Sequence, residues 1–326
     1  MFLISLLKIN LIMNKSIALI GGGGFIGTNL ANYFSAQDYK VLVVSRSLIE
    51  KSKFTSKQIE INLIDVNHTS KLVEALSEYE NIIWLVNNLV PSTSMDSLID
   101  DFDFNVNPLI KLLESASDLK ELKRFVFISS GGTIYGDSPN RIDLTEDCEK
   151  KPISAYGLSK IISENYIEFI VKNAKFDSYI LRPSNVYGSF QNLNKPQGII
   201  GYAFNAILNN KSIDLYDEGK VIRDFIHVMD LAEAVKYCVE NKRLKSKVKK
   251  YNIGSQTGYS IKEVLTLIER VSCEKLNTIS KPSRDFDCHY NVLDISKIKD
   301  DLGWNPKIDL ETGLAEVWQW IQTDKK

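Results

Sequence analysis

Five of the chain's 17 glycines fall within seven consecutive residues, Gly21-Gly22-Gly23-Gly24-Phe25-Ile26-Gly27, directly after the apolar run SIALI at 16–20. The segment satisfies both G-x-G-x-x-G and G-x-x-G-x-x-G, and the residues after it have helical character. Glycines at such a strand-to-helix turn let the chain reverse tightly, bring backbone N–H groups close to a pyrophosphate and let helix pack on strand. A plain structural turn is the alternative, and the strand–loop–helix context argues against it. Gly21, Gly24, Phe25, Ile26 and Gly27 are therefore expected to contact a dinucleotide.

From Ser16 to Leu181, short β-rich runs alternate with segments of helical period. The runs are 16–20, 40–44, 58–63, 82–86, 124–128 and 178–181; the helices are expected over 28–36, 70–79, 105–117 and 156–174. In the third helix Leu109, Leu112, Leu113 and Ala116 recur at i, i+3, i+4 and i+7, an amphipathic stripe. Strands alternating with helices, with no proline before Pro91, imply an α/β fold: a Rossmann-type, doubly wound parallel sheet covered on both faces. Past Leu181 the pattern loosens into Asn-rich turns and isolated helices, which suggests a smaller C-terminal substrate-binding lobe. One unit, Asp224–Val228 followed by Leu231–Val239, resembles the first half. The expected division is a dinucleotide-binding domain over 13–181 plus about 224–254, and a second lobe over 182–223 and 255–326. The Lys-rich run 242–250 reads as a solvated loop.

Composition narrows the function. With 40 Lys+Arg against 41 Asp+Glu, the net charge of −1 argues against coating a nucleic acid. Four scattered cysteines and three histidines show no metal-site spacing and suit a reducing compartment. Residues 1–12, MFLISLLKINLI, are apolar but about half of what a membrane span of ~20 residues requires, and they lack a small-residue cleavage site. The expectation is a non-native or disordered extension with Met13 as the natural start, no membrane partner and a cytoplasmic protein. Mass spectrometry finding intact Met1 in the native protein would refute the extension.

A dinucleotide fold usually places an acid near the end of its second strand to hold the adenosine ribose. Here that strand ends in Ser45-Arg46-Ser47. Arg46 is either a solvated loop residue or a cation for a 2′-phosphate, which at this one position tips the balance toward NADP. NAD is the expected cofactor, with NADP as its alternative. Asp65-Val66, after the third run, sits where an adenine-contacting pair is expected; Asp65 could instead cap the next helix, although Thr69 suits that role better. Asn105, opening the third helix, is a further cofactor candidate.

Tyr156 and Lys160 stand at i, i+4 and so share one helix face. A free phenol titrates near 10, too high for a base at neutral pH; a neighbouring ammonium and a positive nicotinamide ring would both pull it down. Alone the pair is weak evidence. The run at 124–128, however, leads into Ser129-Ser130-Gly131-Gly132-Thr133-Ile134-Tyr135-Gly136, at the carboxyl edge of the sheet where ligands bind, and a hydroxyl there can orient a reacting oxygen toward Tyr156.

With GGGGFIG at 21–27, SSGGTIYGD at 129–137, YGLSK at 156–160, LRPSNVYG at 181–188, RDFIHVMDLAEA at 223–234, YNIGSQTGYSIKEV at 251–264 and LGW at 302–304, the chain resembles the extended short-chain dehydrogenase/reductases. Within them it resembles the NAD-dependent epimerase/dehydratase family, and its pattern is most similar to the UDP-glucose 4-epimerases. The resemblance implies Tyr156 as acid/base, Lys160 as its helper on the nicotinamide ribose, and Asn185 near the sugar or its diphosphate. It also implies Arg223 and Arg284 on the diphosphate, Tyr216 near the nucleotide base, and a homodimer with a helical seam. The family's hydroxyl-bearing residue falls on Gly131, so Ser130 or Thr133 must supply the hydroxyl, with Thr133 favoured. The family's dehydratases carry Asp-Glu where Gly132-Thr133 stand here, which argues against dehydration. His227, in an apolar run, reads as a satisfied core histidine.

The reading is a nucleotide-sugar epimerase in nucleotide-sugar metabolism, a UDP-hexose 4-epimerase passing through a transient 4-keto sugar and serving polysaccharide synthesis. An NADPH-dependent 4-ketosugar reductase is the alternative enzyme, and a non-catalytic dinucleotide-binding sensor or scaffold is the alternative of another class.

Overall fold

The run SIALI becomes β1 (Ser16–Ile20), buried along its whole length and flanked by parallel partners on both sides. A computed structural model of the chain describes residues 15–87, 97–194, 198–241, 246–283 and 288–324; residues 1–12, Met13 and Arg284 lie outside them. The glycine loop leads into α1 (Phe25–Ser35), then β2 (Lys40–Ser45), β3 (Glu60–Leu63), α2 (Thr69–Leu76) and β4 (Asn81–Trp84). Next come α3 (Leu98–Asn105), α4 (Asn107–Glu114), β5 (Arg124–Ile128), the short α5 (Gly131–Ile134), α6 (Ala155–Val171) and β6 (Asp177–Pro183). With β10 (Val248–Ile253), these strands form a seven-stranded parallel sheet in the order β10-β6-β5-β4-β1-β2-β3. The Rossmann-type architecture is as the alternating pattern requires.

Alternate residues of each strand feed two cores, because side chains point to opposite faces of a pleated sheet. On one face Ile17, Leu19, Val41, Val43 and Val126 meet Leu30 and Phe34 of α1. On the other, Ala18, Ile20, Leu42, Val44 and Phe127 meet Leu72 of α2, Leu109 and Leu112 of α4 and Ile167 of α6. Burial on both faces is why these strands read as continuous apolar runs.

Helix boundaries are where sequence and structure part. The helix expected over 105–117 is two helices that meet at Val106. Pro108 stands in the first turn of α4, where its missing N–H costs nothing, and the stripe Leu109, Leu112, Leu113 belongs to α4 alone. Ser97 caps α3, its Oγ accepting from Asp100 N at 3.3 Å. Thr69 is the first residue of α2 and not its cap; the cap position falls on His68, whose side chain bonds no helix amide.

The remaining elements are β7 (Asn185–Tyr187), α7 (Ile199–Leu208), β8 (Ser212–Tyr216), β9 (Ile222–His227), α8 (Val228–Glu240), β11 (Gly258–Ser260), α9 (Ile261–Ser272), β12 (Asn277–Lys281), β13 (Tyr290–Asn291), α10 (Ser296–Leu302) and α11 (Leu310–Asp324). β7, β11 and β13 all pair with β9 in a small mixed sheet, and β8 pairs with β12. A third core joins Phe204 of α7, Val264 of α9 and Leu314 of α11. The unit Asp224–Val239 joins both halves: β9 hydrogen-bonds within the small sheet, while its Ile226, with Leu231 and Val235 of α8, shares the core of the large one. The Lys-rich run is corrected too. Its residues 248–250 are part of β10, where Lys249 pairs with Asp301 at 3.0 Å and Lys250 with Glu168 at 2.8 Å; 242–245 lie outside the described residues. None of the four cysteines is in a disulfide. Among the described residues no helix is long and apolar enough to cross a membrane.

Candidate active site

The glycine loop is shaped by close approach. Gly21 takes φ +79°, and a Cβ there would lie 3.0 Å from the Val86 nitrogen; a Cβ on Gly27 would lie 2.4 Å from the Gly22 Cα. Gly24, the cap residue of α1, is exposed, with nothing within 3.7 Å of where its Cβ would be. No side chain caps this helix and no acid stands in its first turn. The amides of Phe25, Ile26 and Gly27 are thus presented beside open space with the positive end of the helix behind them, which fits a dinucleotide's pyrophosphate.

Of the other cofactor candidates, Ser45, Arg46, Asp65 and Val66 stand at or just after the carboxyl ends of β2 and β3. Ser45 folds back on its own loop, donating to the Ser47 carbonyl at 2.9 Å, and sits against Gly23. Arg46 is exposed at the end of β2. Asp65 does not cap α2: its Oδ1 accepts from the Asn67 amide at 2.9 Å and from Asn67 Nδ2 at 3.0 Å, while Val66 packs on the core. Asn105 is buried, its Nδ2 donating to Asp101 Oδ1 at 3.0 Å.

Ser154 caps α6 by accepting from the Gly157 amide at 3.2 Å, which starts the helix so that Tyr156 and Lys160 share a face. Lys160 is buried; its Nζ donates to the Ile128 carbonyl at 3.0 Å and lies 4.9 Å from the Phe127 ring centre and 5.6 Å from that of Tyr156. The expectation that this lysine pulls the phenol down is not met in the protein alone. Burial pushes Tyr156 up to about 12, with a hydrogen bond from Ser130 opposing and the Asp101 carboxylate reinforcing it. Burial likewise draws Lys160 down to about 8, against the pull of Glu164 and Asp101.

Ser130 is the hydroxyl found against Tyr156. Thr133, favoured from sequence, has its Oγ1 buried without a hydrogen-bond partner among the described residues. Gly131 has no room for a side chain: a Cβ would lie 2.5 Å from Leu293 Cδ1 and 2.8 Å from the Arg182 carbonyl oxygen. The missing hydroxyl at 131 is therefore built into the packing of this chain.

Behind the pair runs a buried network that sequence reasoning missed. Arg182 grips Glu164 with two hydrogen bonds, at 3.0 Å and 2.6 Å, and reaches the Tyr135 hydroxyl at 2.8 Å. Tyr135 donates to Asn252 Oδ1 at 2.6 Å, and Ser129 donates to Glu164 at 2.6 Å. The only signal was a charged residue ending the apolar strand SYILRP. The network ties β5, β6, β10 and α6 together beneath the reacting groups.

A cavity of about 500 Å³ opens alongside, lined by Asn185, Tyr216 and Arg223 together with Gln191, Tyr202 and Phe225. Three of the four substrate candidates thus converge from β7, β8 and β9. Asn185 Nδ2 donates to the Asp224 carbonyl at 2.8 Å, and its Oδ1 comes within 4.0 Å of a Cβ on Gly132, linking the cavity to the loop after β5. Arg223 is half-buried, and its Nη1 donates to the Ile222 carbonyl at 2.9 Å. His227 is buried, and desolvation draws it down to about 4. Its Nδ1 accepts from the Met229 amide at 3.4 Å, and Nε2, without a hydrogen-bond partner among the described residues, lies 3.7 Å from Glu316 Oε2.

Comparison with known proteins places this geometry. The model of the "NAD dependent epimerase/dehydratase family" matches residues 17–254. A putative UDP-glucose 4-epimerase of Methanocaldococcus jannaschii is 29% identical over 317 residues, which are 95% of this chain and 99% of that one. A dTDP-4-dehydro-6-deoxyglucose reductase of Escherichia coli is 28% identical over 319 residues, 94% of this chain and 98% of that one. The crystal structure of a UDP-glucose 4-epimerase of Thermotoga maritima with UDP-glucose superposes with a TM-score of 0.87 at 25% identity, covering 95% of this chain and 100% of that one. A match that runs from β1 through the last strand of the large sheet leaves one conclusion: the chain belongs to the NAD-dependent epimerase/dehydratase family.

Proposed function

We propose that the protein is a UDP-hexose 4-epimerase that works through a transient 4-keto sugar. The observation that carries this reading is the placement of the Tyr156 phenol. It is hydrogen-bonded by Ser130 at the carboxyl edge of β5, beside a cavity furnished with Asn185, Tyr216 and Arg223. NAD, when bound on the Gly21–Gly27 loop, supplies the hydride acceptor and donor. Tyr156 takes the proton of the sugar's C4 hydroxyl and returns it, with Ser130 bonded to the same oxygen. A phenol held near 12 is a strong acceptor once ionised and needs positive charge nearby to ionise; Lys160, an ammonium at neutral pH, lies a helical turn away. Arg223 and Arg284 hold the diphosphate, so binding energy from the non-reacting nucleotide retains the sugar while it turns over between hydride transfers. Tyr216 packs near the nucleotide base.

The second reading, an NADPH-dependent 4-ketosugar reductase, is favoured by one feature: Arg46 stands exposed at the end of β2, where no acid is present for a ribose. The deciding experiment incubates the purified protein with UDP-, dTDP- and GDP-hexoses, with and without NADPH, and follows products by NMR. Epimerisation of a UDP-hexose without net use of NADPH supports the leading reading; stoichiometric NADPH consumption replaces it with the reductase. Tyr156→Phe is the control, and its turnover is expected to fall 10²–10⁴-fold; turnover that survives unchanged removes Tyr156 from the reaction.

We further infer a homodimer, acting in the cytoplasm in nucleotide-sugar metabolism that supplies polysaccharide. α4 and α6 leave an apolar face outward, with Phe169 79% exposed and Tyr166 40% exposed beside Ile110. Sedimentation of the native protein as a monomer would dismiss the dimer.

A further inference from the structure

α3 carries three acids, and they are not equivalent. Asp100 and Asp103 are exposed, whereas Asp101 is completely buried. A carboxylate in that position has lost its hydration, so its neighbours decide whether it is tolerated. Asp101 accepts from Asn105 Nδ2 at 3.0 Å and from Ser159 Oγ. Ser159 lies between Tyr156 and Lys160 in sequence, so the carboxylate is fastened to the helical turn that carries the reacting pair. Neither the glycine loop nor the substrate cavity makes use of it.

Lys160 is buried as well and needs a counter-charge. Two carboxylates face it: Glu164 from its own helix and Asp101 from α3. Glu164 is already committed, gripped by Arg182 through two hydrogen bonds and by Ser129 through a third. The groups facing Tyr156 are Ser130, from the end of β5, and again Asp101. One negative charge is therefore shared by both members of the pair, and among the described residues no carboxylate besides Glu164 and Asp101 acts on either.

We propose that Asp101 is a positioning residue for the Tyr156–Lys160 pair. Through Ser159 it fixes the turn that bears them, and its charge balances the Lys160 ammonium while restraining ionisation of the Tyr156 phenol. This rests on the reading of Tyr156 and Lys160 as the reacting groups. The same negative charge acts on both members in one direction: it favours the protonated lysine and the protonated tyrosine alike.

The test is made first on the ligand-free protein. The side-chain NMR signal of Lys160, followed across pH, should give a midpoint near pH 8 in the parent. In Asp101→Asn, which keeps the size and an acceptor for Ser159, that midpoint should fall by about one pH unit, and the rising limb of kcat/KM should move to lower pH by a similar amount. Asp101→Glu, which keeps the charge, should hold both near their parental positions. Should Asp101→Asn fail to fold, Asp101→Ser removes the charge with less bulk and is read the same way. Unchanged midpoints in a folded neutral variant overturn the proposal and leave Asp101 a packing residue, even if activity falls. A parent that turns over no nucleotide sugar, yet whose Lys160 midpoint moves as expected, refutes the reaction while the charge pairing stands.

Discussion

The two walls of the cleft are built in opposite ways. The wall proposed for the dinucleotide is one continuous stretch, Gly21 to Gly27, whose shape follows from consecutive residues and which offers backbone amides. The wall proposed for the sugar nucleotide is gathered from β7, β8 and β9, and it is pinned by a single buried carboxylate. Asp224 accepts from the Ser255 amide at 2.8 Å, Ser255 Oγ at 2.7 Å, Ser184 Oγ at 3.2 Å and the Leu293 amide at 3.3 Å. The first wall depends on the absence of side chains, the second on one side chain holding four partners. They should therefore fail differently: the first by steric intrusion, the second by a change of charge.

The largest effect is expected from Gly27→Ala. The added methyl would fall 2.4 Å from the Gly22 Cα and 2.5 Å from its carbonyl oxygen, both backbone atoms that cannot swing aside, so the turn must open. A loss of about 3 kcal/mol or more in stability is expected, together with weakened NAD binding; an unchanged melting temperature and NAD affinity would contradict the account of the first wall.

Next is the pH response of the second wall. Burial raises the Asp224 carboxyl to about 6, opposed by its donors from Ser255, Leu293 and Ser184, whereas in the unfolded chain it titrates near 4. The folded state thus holds this proton more tightly. The contribution is fully present below about pH 4 and is lost as pH rises through about 6, on the order of 3 kcal/mol at most. Denaturant melts of the parent and of Asp224→Asn between pH 4 and 7 should differ in that slope, and parallel curves would clear Asp224 of the effect.

The smallest effect, and the one that separates the walls most sharply, belongs to Arg223→Ala. Losing a charge-assisted contact to a diphosphate should raise KM for the nucleotide sugar about 10- to 100-fold. NAD affinity should stay at the parental value; if it falls in step, the two walls are not independent.

The same contrast explains what could be read from the chain. The glycine loop, the apolar strands and the Tyr156–Lys160 spacing are local patterns, and each found its element. The hydroxyl was harder, because the choice between Ser130 and Thr133 depends on which one α6 approaches after folding. Asp101 looked like any other acid of α3, and Arg182 like a strand end, since their partners Ser159, Glu164 and Tyr135 come from other elements. The depressed phenol expected beside Lys160 was an argument about neighbours that left out burial, the larger influence in the protein alone. Helix boundaries slipped at Val106 because an amphipathic stripe marks a face but not where a proline restarts the hydrogen-bond ladder.

The order of strands in the large sheet bears on how the protein is made. Its last strand, β10, pairs residue for residue with β6, from Val248 against Ser178 to Ile253 against Pro183. During synthesis six strands can assemble while the seventh is still unmade, and β6 then presents an open edge until the intervening stretch has been translated. That interval is the nascent chain's period of greatest risk of self-association. Slow ribosomes or a shortage of chaperone should cost this protein more yield than they cost a sheet whose strands are made in one unbroken series.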